Sequence, residues 1–563
     1  MTLLTSFKTP CLSLALMLGF GVAQAQETPR LVLQITVDQL RGDLITRFGA
    51  GMGAAGFQKL LDSGVHYTNA HHRHANTETV VGHATLSTGA DPAVHGMVAN
   101  LWFDCETGQQ FYNVQDPDFP LIGAQGVDQN AEIDPTQRAA TTDGRSPRSI
   151  LSSTIADEIK MHFGPQTKVF GVSVKDRGAI AMAGHAGQAY WFSKSEGRFV
   201  TSSFYRQDYP DWVSEWNDSG KVAAYANTFW MLRDARESYS FGDRDDQPWE
   251  TDFPGFGRVF PHDYGLQDGK YYTTFLTLSP AGDELTVDFA KTLIEAEDLG
   301  ADVFPDYLSV SLSSTDYVGH IFGPSSLEAE DNIRRLDDTL AELLTFVDAK
   351  VGLDKTLVVL SADHGAPEHP EYLAQHGIEA DTFSFERGDT EPGFVRLKKL
   401  FGVGEGLIRN FSNPYVYLDK QKITARGLAV ADVADVVAEE MVKLPGIARA
   451  IPSDRLRQGA VADDMISRAV LANFHSERSG DIYVVFEPHW FIADFDGLTV
   501  ASTHGSPWRY DSFVPVIFAG PGIAAARVGR EIHTVDVAPT IAAYLGVKAP
   551  SGANGNPLVE VSQ

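Results

Sequence analysis

The sequence predicts an α/β protein built on a doubly wound, mostly parallel sheet with inserted cap subdomains. Three observations predict it. Six short apolar runs rich in β-branched residues recur along the chain: LVLQITVD (31–38), KVFGVSV (168–174), YLSVSLSSTD (307–316), TLVVLSAD (356–363), DIYVVFEP (481–488) and VPVIFAG (514–520). Runs this continuous read as strands buried on both faces, as in a parallel sheet. Helical periodicity lies between them, and alternating strands and helices build doubly wound folds. Finally, three of the runs close on an aspartate: Asp38, Asp316 and Asp363.

Taken in order, the first 25 residues form a segment of their own. Lys8 is the only charge before Glu27, the apolar stretch LSLALMLGFGVA follows, and Ala23-Gln24-Ala25 supplies small residues for cleavage. This is the pattern of a signal peptide. Its apolar run is short of the roughly 20 residues that a membrane span requires. Removing Lys8 takes the formal net charge from −29 to −30. Cys11 leaves with the signal, so Cys105 is the one cysteine of the mature chain and no internal disulfide forms. Export without disulfides suits a bacterial periplasmic enzyme. The acidic balance argues against a nucleic-acid scaffold, which needs a basic footprint. No later stretch is long and apolar enough to cross a bilayer, and a monomer is expected.

The catalytic core is expected to comprise 26–190, 300–370 and 481–563. Within it, Ile333, Leu336, Leu340, Leu343, Leu344 and Val347 fall at helical steps in 327–347. In 536–546, Asp536 stands at an N-cap, Pro539 in the first turn and Gly546 after the last apolar residue. Residues 191–299 hold Trp191, Trp212, Trp216, Trp230 and Trp249, five of the eight tryptophans, and read as an aromatic insertion with its own packing. Residues 371–480 start with a mobile-looking HGIEADTFSFERGD and continue in a strand-helix-strand pattern, read as an α+β cap.

Ligands of open α/β sheets bind beyond the carboxyl ends of the strands. One aspartate there reads as a helix cap or turn residue; three together suggest a site. Asp316 and His320 are four apart, on one face of a helical turn. Asp363 and His364 are adjacent where Gly365 permits a bend. His504 lies in a polar loop before the last strong strand. Three Asp and three His make two three-ligand sets of mixed imidazole and carboxylate, a donor mixture that suits zinc. Two metals roughly 4 Å apart can clamp the oxygens of an in-line phosphoryl displacement. His71, His72 and His74 sit in a polar run without a carboxylate at useful spacing and read as solvated or supporting residues.

DQLRGD, TETVVGHATLSTG, HGMVANLWFD, VSVKDRGAI, STDYVGHIFGP, SADHG and THGSPW, in this order from about 30 to 545, resemble the alkaline phosphatase superfamily. They are most similar to its phosphate-irrepressible periplasmic monoesterase branch. The resemblance implies two zinc ions and Thr79 as a nucleophile that passes through a phosphothreonine. Val80-Val81 stand where that family usually has Gly-Pro. It also implies Asp38, Asp363, His364 and Thr79 around one zinc, and Asp316, His320 and His504 around the other. Asn100, Lys175 and Arg177 would contact the phosphoryl oxygens of a monoester. Coordination lowers the pKa of a hydroxyl, and backbone N–H groups at the helix start after Thr79 suit phosphoryl oxygens. Thr77, Thr85, Ser87 and Thr88 read as cap or lining residues.

The alternative is a phosphodiesterase or nucleotide pyrophosphatase of the same superfamily, or an enzyme with both activities. A sulfatase lacks its C/S-x-P-x-R setting here, since SPRS at 146–149 has the wrong order. A cytoplasmic, manganese-dependent serine mutase conflicts with the signal. A non-catalytic phosphate- or metal-binding protein needs fewer groups than are present.

Overall fold

The computed structural model describes residues 28–104, 107–384, 395, 408–495 and 497–561. The signal segment, Cys105 and the last five residues of 376–389 lie outside them. Five of the six β-branched runs form the middle of a ten-stranded sheet. Five central strands, Thr356–Ser361, Leu31–Val37, Asp306–Leu312, Val169–Ser173 and Gln188–Ser193, lie side by side in that order and are all parallel. In register, Leu31 faces Asp306 on one side and Thr356 on the other. All seven residues of Leu31–Val37 are buried, which explains the unbroken apolar run.

Parallel pairing puts the carboxyl ends of these strands along one edge. Asp38 follows Val37 directly, Asp363 lies two residues past Ser361, and Lys175 lies two past Ser173. After Leu312 the chain turns into the helix Ser314–Phe322, whose first turn carries Asp316 and whose last turn carries His320. The long helix Leu327–Lys350 then returns, burying Ile333, Leu336, Leu340, Leu343, Leu344 and Val347 as the periodicity predicts. Asp536 does stand at the N-cap of Val537–Leu545, but its carboxylate accepts from the backbone N–H groups of His533 and Asn556.

Three elements differ from the sequence reading. Phe513–Ala519 runs antiparallel to both of its neighbours, Thr356–Ser361 and Val65–His71. Its run is apolar because both faces are covered, and coverage rather than strand direction sets that pattern. Ile482–Phe486 is not a strand of the main sheet. It lies inside a separate four-stranded sheet, paired antiparallel with Tyr415–Leu418 and Ile447–Pro452. Val433, Val437 and Met441 of the helix Val430–Met441 join Ile482 and Val484 in one apolar cluster. Tyr483 and Val485 join Val80, Val81 and Ala84 in another, so this strand too is buried on both faces. The aromatic stretch, finally, does not pack alone. Gln188–Ser193, which contains Trp191, is part of the main sheet. Trp216 and Trp230 share one core with Leu31, Leu33 and Leu336; the stacked rings of Phe199 and Phe289, with centroids 4.1 Å apart, lie against Trp216. Among the described residues no helix is long and apolar enough to cross a membrane.

Candidate active site

Thr79 is the first residue of the helix Thr79–Thr88, buried at 1% exposure. This helix is pressed against the Asp363 loop so closely that a Cβ at Gly82 would stand 2.1 Å from the Asp363 carbonyl oxygen. Only glycine fits there, and the contact fixes where Thr79 stands relative to the strand ends. The Thr79 Oγ1 lies 3.5 Å from the Lys175 Nζ. The other hydroxyls are engaged elsewhere: Thr85 donates to the Val81 carbonyl, Thr88 to that of Ala84 and Thr77 to that of Ser506.

The chain brings Asp38, Asp363 and His364 together, with ligand atoms within 4.8 Å of one another. Asp316, His364 and His504 meet the same limit, so His364 stands between the two sets. His320 is tied to the second through Asp316: its Nε2 lies 3.2 Å from Asp316 Oδ1, and the His504 Nε2 lies 3.4 Å from the same oxygen. The second expected set therefore gathers around the Asp316 carboxylate. The rings of His364 and His504 stack with centroids 3.6 Å apart.

The imidazoles share one arrangement. His320 Nδ1 is 2.8 Å from the Ser502 carbonyl, His504 Nδ1 is 2.7 Å from that of Thr77, and His364 Nδ1 is 3.1 Å from that of Gly365. A carbonyl accepts only, so each Nδ1 carries the proton, and in a neutral ring Nε2 is then a bare lone pair. Each of these Nε2 atoms faces a carboxylate oxygen, at 3.4 Å from Asp38 Oδ1 in the case of His364. Lone pair against lone pair is repulsive unless a metal ion or a proton lies between them. Asp38 Oδ1, Asp363 Oδ2 and His364 Nε2 are also buried without a hydrogen bond. Burial pushes His364 and His504 below the ordinary imidazole range, which favours the neutral, ligating form. Burial and the nearby Asp363 charge raise the Asp38 carboxyl well above its usual range despite Lys175. Burial also acts to raise Asp316, but His320 and Lys175 outweigh it and hold that carboxyl well below. The donor set therefore fits divalent metal ions.

Lys175 is fully buried, and its ammonium pairs with Asp38 at 2.7 Å and with Asp316. Tyr317 lies beside it, with its ring centroid 4.9 Å from Nζ. Arg177 pairs at 3.1 Å with Asp134. Asn100 accepts the Val80 N–H at Oδ1, 3.1 Å away, which leaves its NH2 for the cavity that it lines. That bond takes one of the helix-start N–H groups expected to face a ligand. Thr79, Asn100, Arg177, Asp316, His320 and His504 all line one cavity of about 330 Å³.

Several supporting residues escaped the sequence reading. Gln39 follows Asp38 with φ 64°, a left-handed backbone that costs a non-glycine residue about 1 kcal/mol. There its Nε2 donates to Asp316 Oδ1 at 2.7 Å and its backbone N–H to Asp363 Oδ1 at 3.1 Å, tying both sets together. Glu78, half-buried beside the cavity, accepts the Asn100 N–H, and desolvation of its carboxyl pushes that group up to about 7. Asp134 caps a short helix, accepting from Thr136 N–H, as its place before Pro135 signals. Of the two readings open for the histidine run, His72 and His74 take the supporting one: both are buried, and His72 Nε2 lies 3.0 Å from the carbonyl of Ala362, the residue before Asp363. Charge-free burial of these rings is the reason that the run looks polar yet is interior.

The sequence pattern of the type I phosphodiesterase/nucleotide pyrophosphatase family matches residues 32–507. A Myroides odoratus protein named a calcium-transporting ATPase is 34% identical over 541 residues, 95% of each chain. The alkaline phosphatase PafA of Elizabethkingia meningoseptica is 32% identical over 549 residues, 97% of this chain and 96% of that one. The crystal structure of PafA superposes with a TM-score of 0.86 at 31% identity, covering 95% of this chain and 99% of that chain. A second PafA structure, with a TM-score of 0.85, is of a variant substituted at one threonine, one asparagine, one lysine and one arginine.

Proposed function

This chain belongs to the type I phosphodiesterase/nucleotide pyrophosphatase family, on the PafA-like branch of the alkaline phosphatase superfamily, and on that premise we propose that it is an alkaline phosphatase hydrolysing phosphate monoesters. The observation that carries this reading is the buried Thr79 hydroxyl beside a lysine, two arrays of carboxylate and imidazole, and a cavity that also holds Asn100 and Arg177. The names of the relatives differ, but a phosphatase and an ATP-hydrolysing enzyme share the phosphoryl-transfer step for which these groups are suited.

We read Asp38, Asp363, His364 and Thr79 as the residues that would hold one zinc ion, and Asp316, His320 and His504 as those that would hold a second. Zinc bound there supplies Lewis-acid polarisation of the reacting oxygens. Thr79 Oγ1 gives up its proton to solvent and forms a bond to phosphorus as the bond to the leaving oxygen breaks, and that oxygen departs as an alcohol after taking a proton from water. Water then cleaves the phosphothreonine, releasing phosphate and restoring the hydroxyl. Asn100, Lys175 and Arg177 donate to the phosphoryl oxygens, and two of them are cations, as a dianion requires. Gly82 and His83, whose Nδ1 lies 2.8 Å from the Thr79 carbonyl, hold the nucleophile in place.

The family's name favours a second reading, diester hydrolysis. A diester carries less charge and a second substituent, so it gains less from Lys175 and Arg177. The test is kcat/KM for an aryl phosphate monoester and the matching diester, with and without a chelator. Monoester preference that chelation removes and zinc restores supports the proposal; diester preference overturns it. Thr79→Ala is expected to lose about 10⁴-fold or more in kcat, and wild-type turnover in that variant would sink the nucleophile assignment. We further propose export to the periplasm on the strength of residues 1–25, and a monomeric enzyme.

A further inference from the structure

We propose that the apolar wall next to His320 is a subsite for the leaving group, built for an uncharged planar aromatic ring such as an aryl or nucleoside group. The inference rests on the phosphatase reading above and on the place of Phe495. In an in-line displacement the leaving oxygen departs on the side opposite the nucleophile. With Thr79 assigned, as proposed above, to the set of Asp38, Asp363 and His364, the leaving oxygen falls to Asp316, His320 and His504, so its substituent meets whatever borders these residues. Phe495 does: its ring centroid is 5.1 Å from that of His320, at 59°. It sits on a two-stranded ribbon, Asp494–Phe495 against Leu498–Thr499. Phe411, Ile492, Leu498, Val500 and Ile133 line the same cavity as Thr79 and His504.

The chemistry of this lining selects its ligand. Aromatic and branched apolar side chains favour a ring that packs edge-to-face or offset. Among the described residues of the cavity Arg177 is the one cation, and Asp134 already pairs with it. Glu78 and Asp494 line the cavity as well, so beyond the residues that would hold a metal ion an anionic leaving group meets acidic side chains and no spare cationic one. The volume of about 330 Å³ falls within the range of about 300–1,000 Å³ typical of small-molecule sites.

The experiment compares wild type, Phe495→Ala and Phe495→Leu on phenyl phosphate, adenosine 5′-monophosphate and glycerol phosphate. Phe495→Ala is expected to lower kcat/KM about tenfold on the two aromatic substrates and less than about twofold on glycerol phosphate. Phe495→Leu keeps apolar bulk without the ring and should fall between. Loss on phenyl phosphate alone assigns the wall to aryl groups, and loss on the nucleotide alone to nucleosides; both support the subsite. Equal loss on all three substrates, or no loss on the aromatic pair, overturns it. Titration of phenylphosphonate into Thr79→Ala, with and without Phe495→Ala, reads the subsite by affinity alone, and unchanged affinity also overturns it. If wild type hydrolyses none of the three, the phosphatase reading fails, and the phosphonate titration still decides on the wall.

Discussion

The two halves of the candidate site are held by different means. Asp38, Asp363 and His364 have fully buried side chains and stand just beyond Leu31–Val37 and Thr356–Ser361, strands paired in register from Leu31 and Thr356 to Thr36 and Ser361. Asp316, His320 and His504 come from a helix and a loop, with side-chain exposures of 2%, 12% and 6%. Their positions depend on contacts far apart in sequence: His320 on Ser502, His504 on Thr77, and Ser502 on Pro367. A backbone ladder fixes the first half, whereas the second is assembled from tertiary hydrogen bonds. The first half should therefore tolerate change least, and the second should be where geometry is tuned.

The largest effects break this contrast most directly. His364 belongs to both sets, so His364→Ala is expected to reduce kcat/KM about 1,000-fold and His320→Ala about 100-fold. Metal content per chain, measured beside the rate, should fall further in the first variant. Equal losses of rate and metal would mean that His364 serves one set only. Partial chelation sharpens the same point: the more exposed set should release its ion first, so a wild-type sample with half its metal should behave like His320→Ala.

A smaller effect is expected at Asp134. Burial acts to raise its carboxyl, but Arg177 outweighs it and holds the group well below its usual range, so the pair is an ion pair across the working pH range. Asp134→Asn keeps the shape and removes the charge. It should lower monoester kcat/KM about tenfold by loosening Arg177, with a smaller loss on a diester. An equal loss on both substrates would show that Asp134 acts on the whole cavity rather than through Arg177.

The same contrast explains what could be read from the sequence. Asp38, Asp363 and Asp316 were legible because each ends a run whose burial writes itself into composition, and parallel strands share a carboxyl edge. His504 was legible as a candidate ligand in a polar loop, and the resemblance of THGSPW gave it a place in one set, since the hydrogen bond that orients it reaches back to Thr77. Gln39 gave no local signal, because a left-handed glutamine is dictated by what it must reach, Asp316 and Asp363. Ile482–Phe486 was assigned to the wrong sheet, since burial on two faces gives the same letters in either. Asp134 did carry a signal, a cap before Pro135, but nothing nearby in sequence pointed to Arg177.

The smallest effect concerns stability alone and again separates the halves. The helix that carries Asp316 and His320 is clamped at its start by Asp283, which accepts the Ser314 N–H at 3.0 Å and whose own N–H donates to Ser314 Oγ at 3.1 Å. Burial pushes the Asp283 carboxyl up to about 7, and its Oδ2 has no hydrogen bond. A carboxyl whose folded pKa lies above its unfolded value favours the fold while protonated. Its contribution is therefore complete below about pH 4 and is lost as pH rises to about 7, with a slope of at most about 1.4 kcal/mol per pH unit. Asp283→Asn retains an oxygen acceptor for Ser314 and cannot ionise, so Tm should decline less over that window in the variant than in wild type. Above pH 7 the variant should be the more stable of the two, with turnover little changed. Parallel Tm profiles would show that Asp283 is already ionised in the fold, and the helix-borne half would then owe none of its softness to this clamp.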